Sequence, residues 1–239
     1  MKPFRAVLAA FALSSVGQAC AVGSLADLNV YDRTEGRQLA VHWHQGRVYV
    51  VGKPGNEYQV TLRNRTREEI LGVVSVDGVN VVSGETADPG QTGYVLGAYR
   101  SYEILGWRKS LAETAAFYFT TLPDSYAART GRPDNVGVIG VALFRKKVEP
   151  QPATPQPGQL GQSGRGAAAE QDSRLGTGHG RRETSEVRLV AFERASSQPA
   201  ETLTIYYDSY RNLVARGVIR EAVAPLPRPF PGFVPDPRG

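Results

Sequence analysis

The sequence predicts an all-β fold: an antiparallel β-sandwich with one short helix, plus a C-terminal β-hairpin segment docked on it or completing its sheet. Three observations lead there. Residues 70–83, ILGVVSVDGVNVVS, place two valine-rich runs on either side of Asp77-Gly78. A two-residue type I′ turn needs φ > 0 at both central positions, and Asp-Gly between apolar runs is the strongest short hairpin signal. Several other short runs alternate apolar and polar residues between Gly, Pro, Asn and Asp punctuation. Finally, 135–144, NVGVIGVALF, is apolar on both faces, as a central strand must be.

The hairpin sets its own register. With Val76 opposite Val79, pairing runs outward through Ser75–Asn80, Val74–Val81 and Val73–Val82, which gathers Val74, Val76, Val79 and Val81 on one face. That face is predicted to be core. The other carries Ser75 and Asn80 as a polar pair near the turn and suits a partly solvated surface or a small site.

At the N-terminus, Lys2 and Arg5 precede an apolar stretch at 6–16 and then Ala19-Cys20-Ala21, so 1–21 reads as a secretory signal peptide. The apolar stretch is short of the ~20 residues of a membrane span, and no other window comes near that length. A second reading makes Cys20 a lipid-modified N-terminus, although Gly17-Gln18-Ala19 lacks the aliphatic residue such a site carries three positions earlier. With the cut at Ala21 no cysteine remains, so stability rests on packing without disulfides. A chain of 239 residues with 41% hydrophobic residues can bury a real core in one or two domains. Removing Lys2 and Arg5 leaves 26 basic against 23 acidic residues. The basic residues are scattered, with no stripe to follow a phosphate backbone, and nucleic acid is not an expected partner.

A β-sandwich domain is expected over 22–147. LAVHWH (39–44) and RVYVV (47–51) flank Gln45-Gly46 as strand, tight turn and strand. His42 and His44 share a strand face, but a third ligand is missing nearby, so no metal site is assigned. EYQVTLR (57–63) alternates Tyr58, Val60 and Leu62 against polar residues. Asn64-Arg65-Thr66 matches a glycosylation sequon, a three-residue pattern that recurs by chance. Short strands follow at 94–96 and 102–105. Gly106-Trp107-Arg108-Lys109-Ser110 then interrupts the strand series, before an aromatic strand at 115–120. DSYAARTG (124–131) has a capping residue, helix formers and a closing glycine, which predicts one or two helical turns. In 135–144, the small residues Gly137, Gly140 and Ala142 imply close approach of a backbone or ring.

Composition changes at 148–174, rich in Pro, Gln, Gly and Ala and read as a disordered linker. A C-terminal β segment is expected over 175–221, with strands at 186–192, 202–207 and 213–219. It has too few large apolar side chains to stand alone. The Pro-rich 222–239 reads as a disordered tail.

Chemistry is thinly written. Gly176-Thr177-Gly178-His179-Gly180 is a glycine-rich turn presenting His179 with Glu183 close behind, but neither an orienting carboxylate nor a pocket is evident. It fits no phosphate-binding glycine motif, and no nucleophile elbow, metal-ligand cluster or cysteine nucleophile is present in the mature chain. Cofactors are not expected. The series VVSVDGVNVVSGETA (73–87), GYVL (93–96), GWRKS (106–110), SYAARTG (125–131) and NVGVIGVALF (135–144) resembles a family of secreted bacterial proteins of unknown function. The resemblance covers 37–145, with a weaker echo in LGTGHGRRE (175–183), and it implies no catalytic activity.

Two functions are therefore expected from different classes. One is a secreted or periplasmic binding or structural protein of the bacterial cell envelope, with an envelope protein or glycan as partner. The alternative is an extracytoplasmic hydrolase whose site collects Asp77, Asn80, Arg108 or His179 at one rim of the sheets. A ligand surface, if present, is expected to include Trp107 and Arg108 with Ser75, Asn80, and Tyr126 or Arg129 of the short helix, because Trp and Arg supply much of the energy at recognition sites. The structural alternative has Trp107 plugging the end of the sandwich while Arg108 caps carbonyls.

Overall fold

The computed structural model describes residues 21–148 and 174–220. Readings made for the leader through Cys20, for the linker at 149–173 and for the tail at 222–239 lie outside the described residues. In chain order the strands are β1 (Ala21–Val22), β2 (Ala26–Asp32), β3 (Arg37–Gln38), β4 (Val41–His44), β5 (Arg47–Val51), β6 (Glu57–Asn64), β7 (Ile70–Val76) and β8 (Val79–Asn80). After them come β9 (Tyr94–Leu96), β10 (Ser101–Ile104), β11 (Gly106–Arg108), β12 (Glu113–Thr121), β13 (Val138–Arg145), β14 (Leu175–Thr184) and β15 (Glu201–Asp208). Two short helices, α1 (Tyr126–Arg129) and α2 (Tyr210–Ala215), complete the set among the described residues.

These strands form two sheets. The first runs β1-β2-β6-β12-β11, with β3 added on β2, β10 on β6 and β14 on β12; the second runs β4-β5-β15-β13-β7-β8, with β9 also on β7. Every ladder is antiparallel except that between β5 and β15, so the second sheet is mixed. The alternating strands bury what their pattern predicts: Tyr58, Val60 and Leu62 of β6 face Val74, Val76, Ile139, Val141 and Ile205 of the other sheet in one continuous core. The all-β sandwich read from the sequence is the observed fold. Ala21 pairs with Leu28 and is buried.

The central hairpin forms in the predicted register, with Val76 opposite Val79 and Ser75 opposite Asn80. Asp77 and Gly78 have φ of 53° and 71°, as the primed turn requires. Val81 N–H still bonds the Val74 carbonyl at 3.0 Å, but the Val73–Val82 pair does not form. Asn80 is the reason. Its Oδ1 accepts from the N–H of Val82 at 2.8 Å and of Ser83 at 3.3 Å, and Gly84 N–H closes on its carbonyl, so the chain folds away in an Asx turn. The vacated edge of β7 is taken by β9, where Gly72 pairs with Tyr94 and Ile70 with Leu96.

Four further expectations are corrected. Residues 175–184 are not a turn but the ten-residue strand β14, running along β12. Its glycines serve contact: a Cβ on Gly180 would lie 2.7 Å from the Ala116 carbonyl oxygen, and one on Gly176 2.6 Å from Cβ of Ser125. Residues 186–192 are extended but join no ladder of either sheet. The strand predicted at 213–219 is replaced by α2, whose N-cap Ser209 Oγ accepts from Asn212 N–H at 3.3 Å while Leu213 packs on Tyr49 and Val218. Gly106-Trp107-Arg108 does not interrupt the series but is β11, pressed so close to β12 that only glycine fits at its start.

Two local expectations gain a structural account. The predicted helical turn is α1, with Ser125 Oγ accepting from Ala128 N–H at 3.2 Å and Gly131 at φ 76° behind it. Asn64 is fully buried and its Nδ2 donates to the carbonyls of Glu68, Leu96 and Gly97, so the sequon amide is spent inside the fold. The C-terminal segment gives one strand to each sheet: β14 adds to β12, and β15 lies between β13 and β5. It thus completes the sheets rather than making a hairpin.

A glycine comparison tests this packing. Gly106→Ala would place a Cβ closer than 3.0 Å to the Ala115 carbonyl, a backbone atom that cannot swing away, and is expected to cost about 3 kcal/mol or more. Gly46→Ala meets nothing within 4 Å and suffers only the left-handed conformation, φ 73°, which costs about 1–2 kcal/mol. Urea unfolding midpoints of the two variants give the comparison.

Candidate functional site

A cleft of about 670 Å³ opens along one side of the sandwich, where β9, β10 and β11 present edges that no further strand covers among the described residues. Its floor is Leu71 and Val95, which pack with Val73, Ala142, Phe144 and Phe192 in a small apolar cluster on the outer face of the second sheet. The wall is Tyr94 and Tyr102, ring centroids 4.9 Å apart, with the Arg108 guanidinium 5.8 Å from the Tyr94 ring. The roof is the extended stretch 186–194.

Two arginines hold that roof. Arg108 Nη1 donates to the Ser185 carbonyl and Nη2 to Ser185 Oγ at 3.1 Å, which fixes the near end. Arg194 lies 4.1 Å over the Phe144 ring and donates to the carbonyls of Pro89 at 2.8 Å and Gln91 at 2.5 Å, which fixes the far end on the 82–92 loop. Asn80 in turn holds that loop, its Nδ2 donating to Gln91 Oε1 and the Thr92 carbonyl. The planar fork of Arg suits this work, since one guanidinium meets several carbonyls while its face covers a ring.

The six residues expected at a ligand surface divide among separate places. Arg108 lines the cleft. Asn80 is fully buried and spent on its own loop. Ser75 sits on the outer face of the second sheet, where its hydroxyl reaches the Gly140 carbonyl at 3.5 Å. Trp107, on the opposite face of β11 from Arg108, is 1% exposed and edge-on to Phe117 at 5.1 Å. It plugs the sandwich end. Its Nε1–H has no acceptor among the described residues. Tyr126 covers Trp107 at 4.9 Å, and Arg129 at the end of α1 is exposed.

The alternative set also scatters. His179 lies beside Tyr126, ring centroids 5.4 Å apart, and burial together with the positive charges of Lys109, Arg182 and Arg129 pushes its pKa down. Glu183 does not orient it: its Oε1 is 2.7 Å from both Arg33 and Arg181. Asp77 is fully buried. Its Oδ1 accepts from Tyr207 OH at 2.6 Å and Gly137 N–H at 2.9 Å, and its Oδ2 from Thr177 N–H at 2.8 Å. None of Asp77, Asn80, Arg108 and His179 hydrogen-bonds another, so no acid–base pair is assembled from them. Among the described residues no group of three His, Cys, Asp or Glu side chains is placed to hold a metal ion, and no helix is long and apolar enough to cross a membrane.

Sequence reasoning missed Tyr94, Tyr102 and Arg194. Tyr94 was visible only as a short-strand residue, and Arg194 carried no signal, because its role depends on Phe144 and the 82–92 loop coming together. A smaller depression of about 330 Å³ lies beside Trp43, which is 64% exposed, with Arg47 5.5 Å from the Tyr206 ring.

Burial makes Asp77 titrate at about 6, despite the hydrogen bonds, from Tyr207 first, that favour its charge. The folded value stands above the unfolded ~3.9, so this group's stabilising contribution is complete below pH ~4 and is lost as the pH rises through 6. The loss amounts to about 3 kcal/mol by pH 8. Asp77→Asn, which cannot ionise, is expected to be less stable at acid pH yet to lack this decline. Urea unfolding from pH 4 to 8 for both chains gives the two slopes.

No protein-family model, curated protein or solved structure matches the chain.

Proposed function

We propose that the chain is a secreted or periplasmic binding protein of the bacterial cell envelope, which holds its ligand in the cleft roofed by 186–194. The observation that carries this reading is the cleft itself. Leu71, Val95, Tyr94 and Tyr102 present apolar and aromatic surface beside a few fixed polar groups, the composition of a binding site. The two arginines fix the two ends of the roof, and between them Leu189 and Val190 stay exposed. The leader-like N-terminus and the resemblance to secreted bacterial proteins support the extracytoplasmic placement. A hydrolytic reading has no comparable support, since its four residues do not converge.

An amphipathic reporter tests the cleft. Anilinonaphthalene sulfonate, an aromatic anion, is expected to bind the folded protein saturably at one site. Val95→Asp, which adds a charge to the cleft floor at a partly exposed position, is expected to weaken that binding at least tenfold with the melting temperature little changed. Trp43→Ala is expected to leave it as it was. Fluorescence titration decides: retained binding in Val95→Asp, or loss in Trp43→Ala, would contradict the assignment.

A further inference from the structure

Residues 186–192, EVRLVAF, have the composition of a strand: β-branched and aromatic residues without proline or glycine. The chain holds them extended without giving them a partner. At one end Ser185 N–H bonds the Ala112 carbonyl and Val187 N–H the Leu111 carbonyl, both at 2.8 Å. At the other, Lys147 N–H bonds the Glu193 carbonyl at 2.8 Å, Ala195 N–H bonds the Arg145 carbonyl at 3.0 Å, and Lys146 bridges to Arg194. Between these anchors the backbone of Arg188, Leu189, Val190, Ala191 and Phe192 makes no hydrogen bond among the described residues. Leu189 and Val190 are 82% and 49% exposed.

Across the cleft lies a second unpaired edge. β9 bonds β7 on one side only, and the Leu96 carbonyl is taken by Asn64 Nδ2 at 3.1 Å, so the backbone groups left open on this edge are those of Tyr94 and Val95 that turn away from β7. The cleft lines both sides of that edge, with Tyr94 from the core side and Val95 from the outer side. Five unpaired residues span roughly 16 Å at about 3.3 Å per residue. A soluble protein ordinarily blunts or covers such an edge.

We propose that the ligand is an extended segment of another polypeptide, added as a β-strand along 188–192 and the edge of β9. This rests on the cleft being the binding site and names what enters it. Backbone bonds supply the affinity, and alternate side chains of the incoming strand meet Leu71, Val95 and Tyr102. The charges select its chemistry. Arg108, Arg188 and Arg194 line the cleft against Glu69 and Glu186, and Glu69 is already paired with Lys146 at 2.7 Å. The favoured segment alternates apolar residues and carries at least one Asp or Glu.

Displayed random decapeptides selected on the full chain, with the tightest binder then synthesised as the probe, test this. The probe is expected to displace anilinonaphthalene sulfonate and to alternate apolar residues with an acidic one. A scan of single N-methyl groups along the probe is expected to weaken binding at least tenfold within the paired stretch, where successive N–H groups turn alternately to 188–192 and to β9, and to have little effect outside it. On the protein, Leu189→Pro and Val190→Pro each delete an N–H that the fold does not use. One of the two is expected to lose peptide binding at least tenfold, the other to change little, and both to melt as the parent does. Failure to select any displacing peptide, or indifference to N-methylation, would overturn strand addition while leaving the reporter's binding, and so the cleft, intact. Peptide binding seen only after deletion of 221–239 would also overturn it, by assigning the edge to the chain's own tail, as would a peptide-free dimer that protects 188–192.

Discussion

Everything in this sandwich is referred to one buried carboxylate. Asp77 sits in a two-residue turn of the second sheet, and its two oxygens are used by groups from three other places: Gly137 before β13, Thr177 on β14 and Tyr207 on β15. From Tyr207 the bonding continues through Thr177 Oγ1 at 2.6 Å to Tyr58 OH at 2.5 Å, deep in the first sheet. The order of protons follows from counting. Tyr58 donates to Thr177, Thr177 to Tyr207 and Tyr207 to the carboxylate, because only the carboxylate end is purely an acceptor. A charged Asp77 satisfies the whole chain. A proton placed on Oδ2 leaves Oδ1 able to accept from Tyr207, so the chain keeps its direction when the carboxyl is neutral as well. Both phenols are in turn held well above their ordinary pKa, by burial first and by the Asp77 charge second. A buried network is stabilising when every member is satisfied and costly when one is not.

That dependence explains what could be read from the sequence. The hairpin at 70–83 is legible because Asp-Gly dictates backbone geometry locally, and the alternating strand at 57–63 and the aromatic one at 115–120 because their neighbours merely complete a pattern already in the residues. The strand at 175–184 was not legible. Its glycines break the propensity of a strand, and the contacts that need them, Gly178 against the Tyr118 ring and Gly180 against the Ala116 carbonyl, involve residues some sixty positions away. Likewise, Asp77 looked like a turn residue and a possible acid, and only the approach of Thr177 and Tyr207 shows that its carboxylate is consumed by the fold.

The site follows the same rule. Trp107 and Arg108 are neighbours in the chain, but adjacent strand residues face opposite ways. One plugs the core while the other reaches Ser185 and the cleft. The stretch 186–192 has the composition of a strand, and the fold gives it no ladder to join. A strand pattern without a partner is where local preference and tertiary structure part, and such departures are expected to gather at functional surfaces.

The Asp77 network and the 188–192 stretch should occupy opposite ends of the chain's local stability, because one joins both sheets and the other joins neither. Native-state hydrogen exchange of the intact protein reads this directly. The amides of Gly137 and Thr177, both donated to Asp77, should exchange only through global unfolding, while those of Leu189 and Val190 should exchange many orders of magnitude faster. If Gly137 and Thr177 exchange on the timescale of Leu189, the carboxylate does not hold the sheets together and the account of this fold fails.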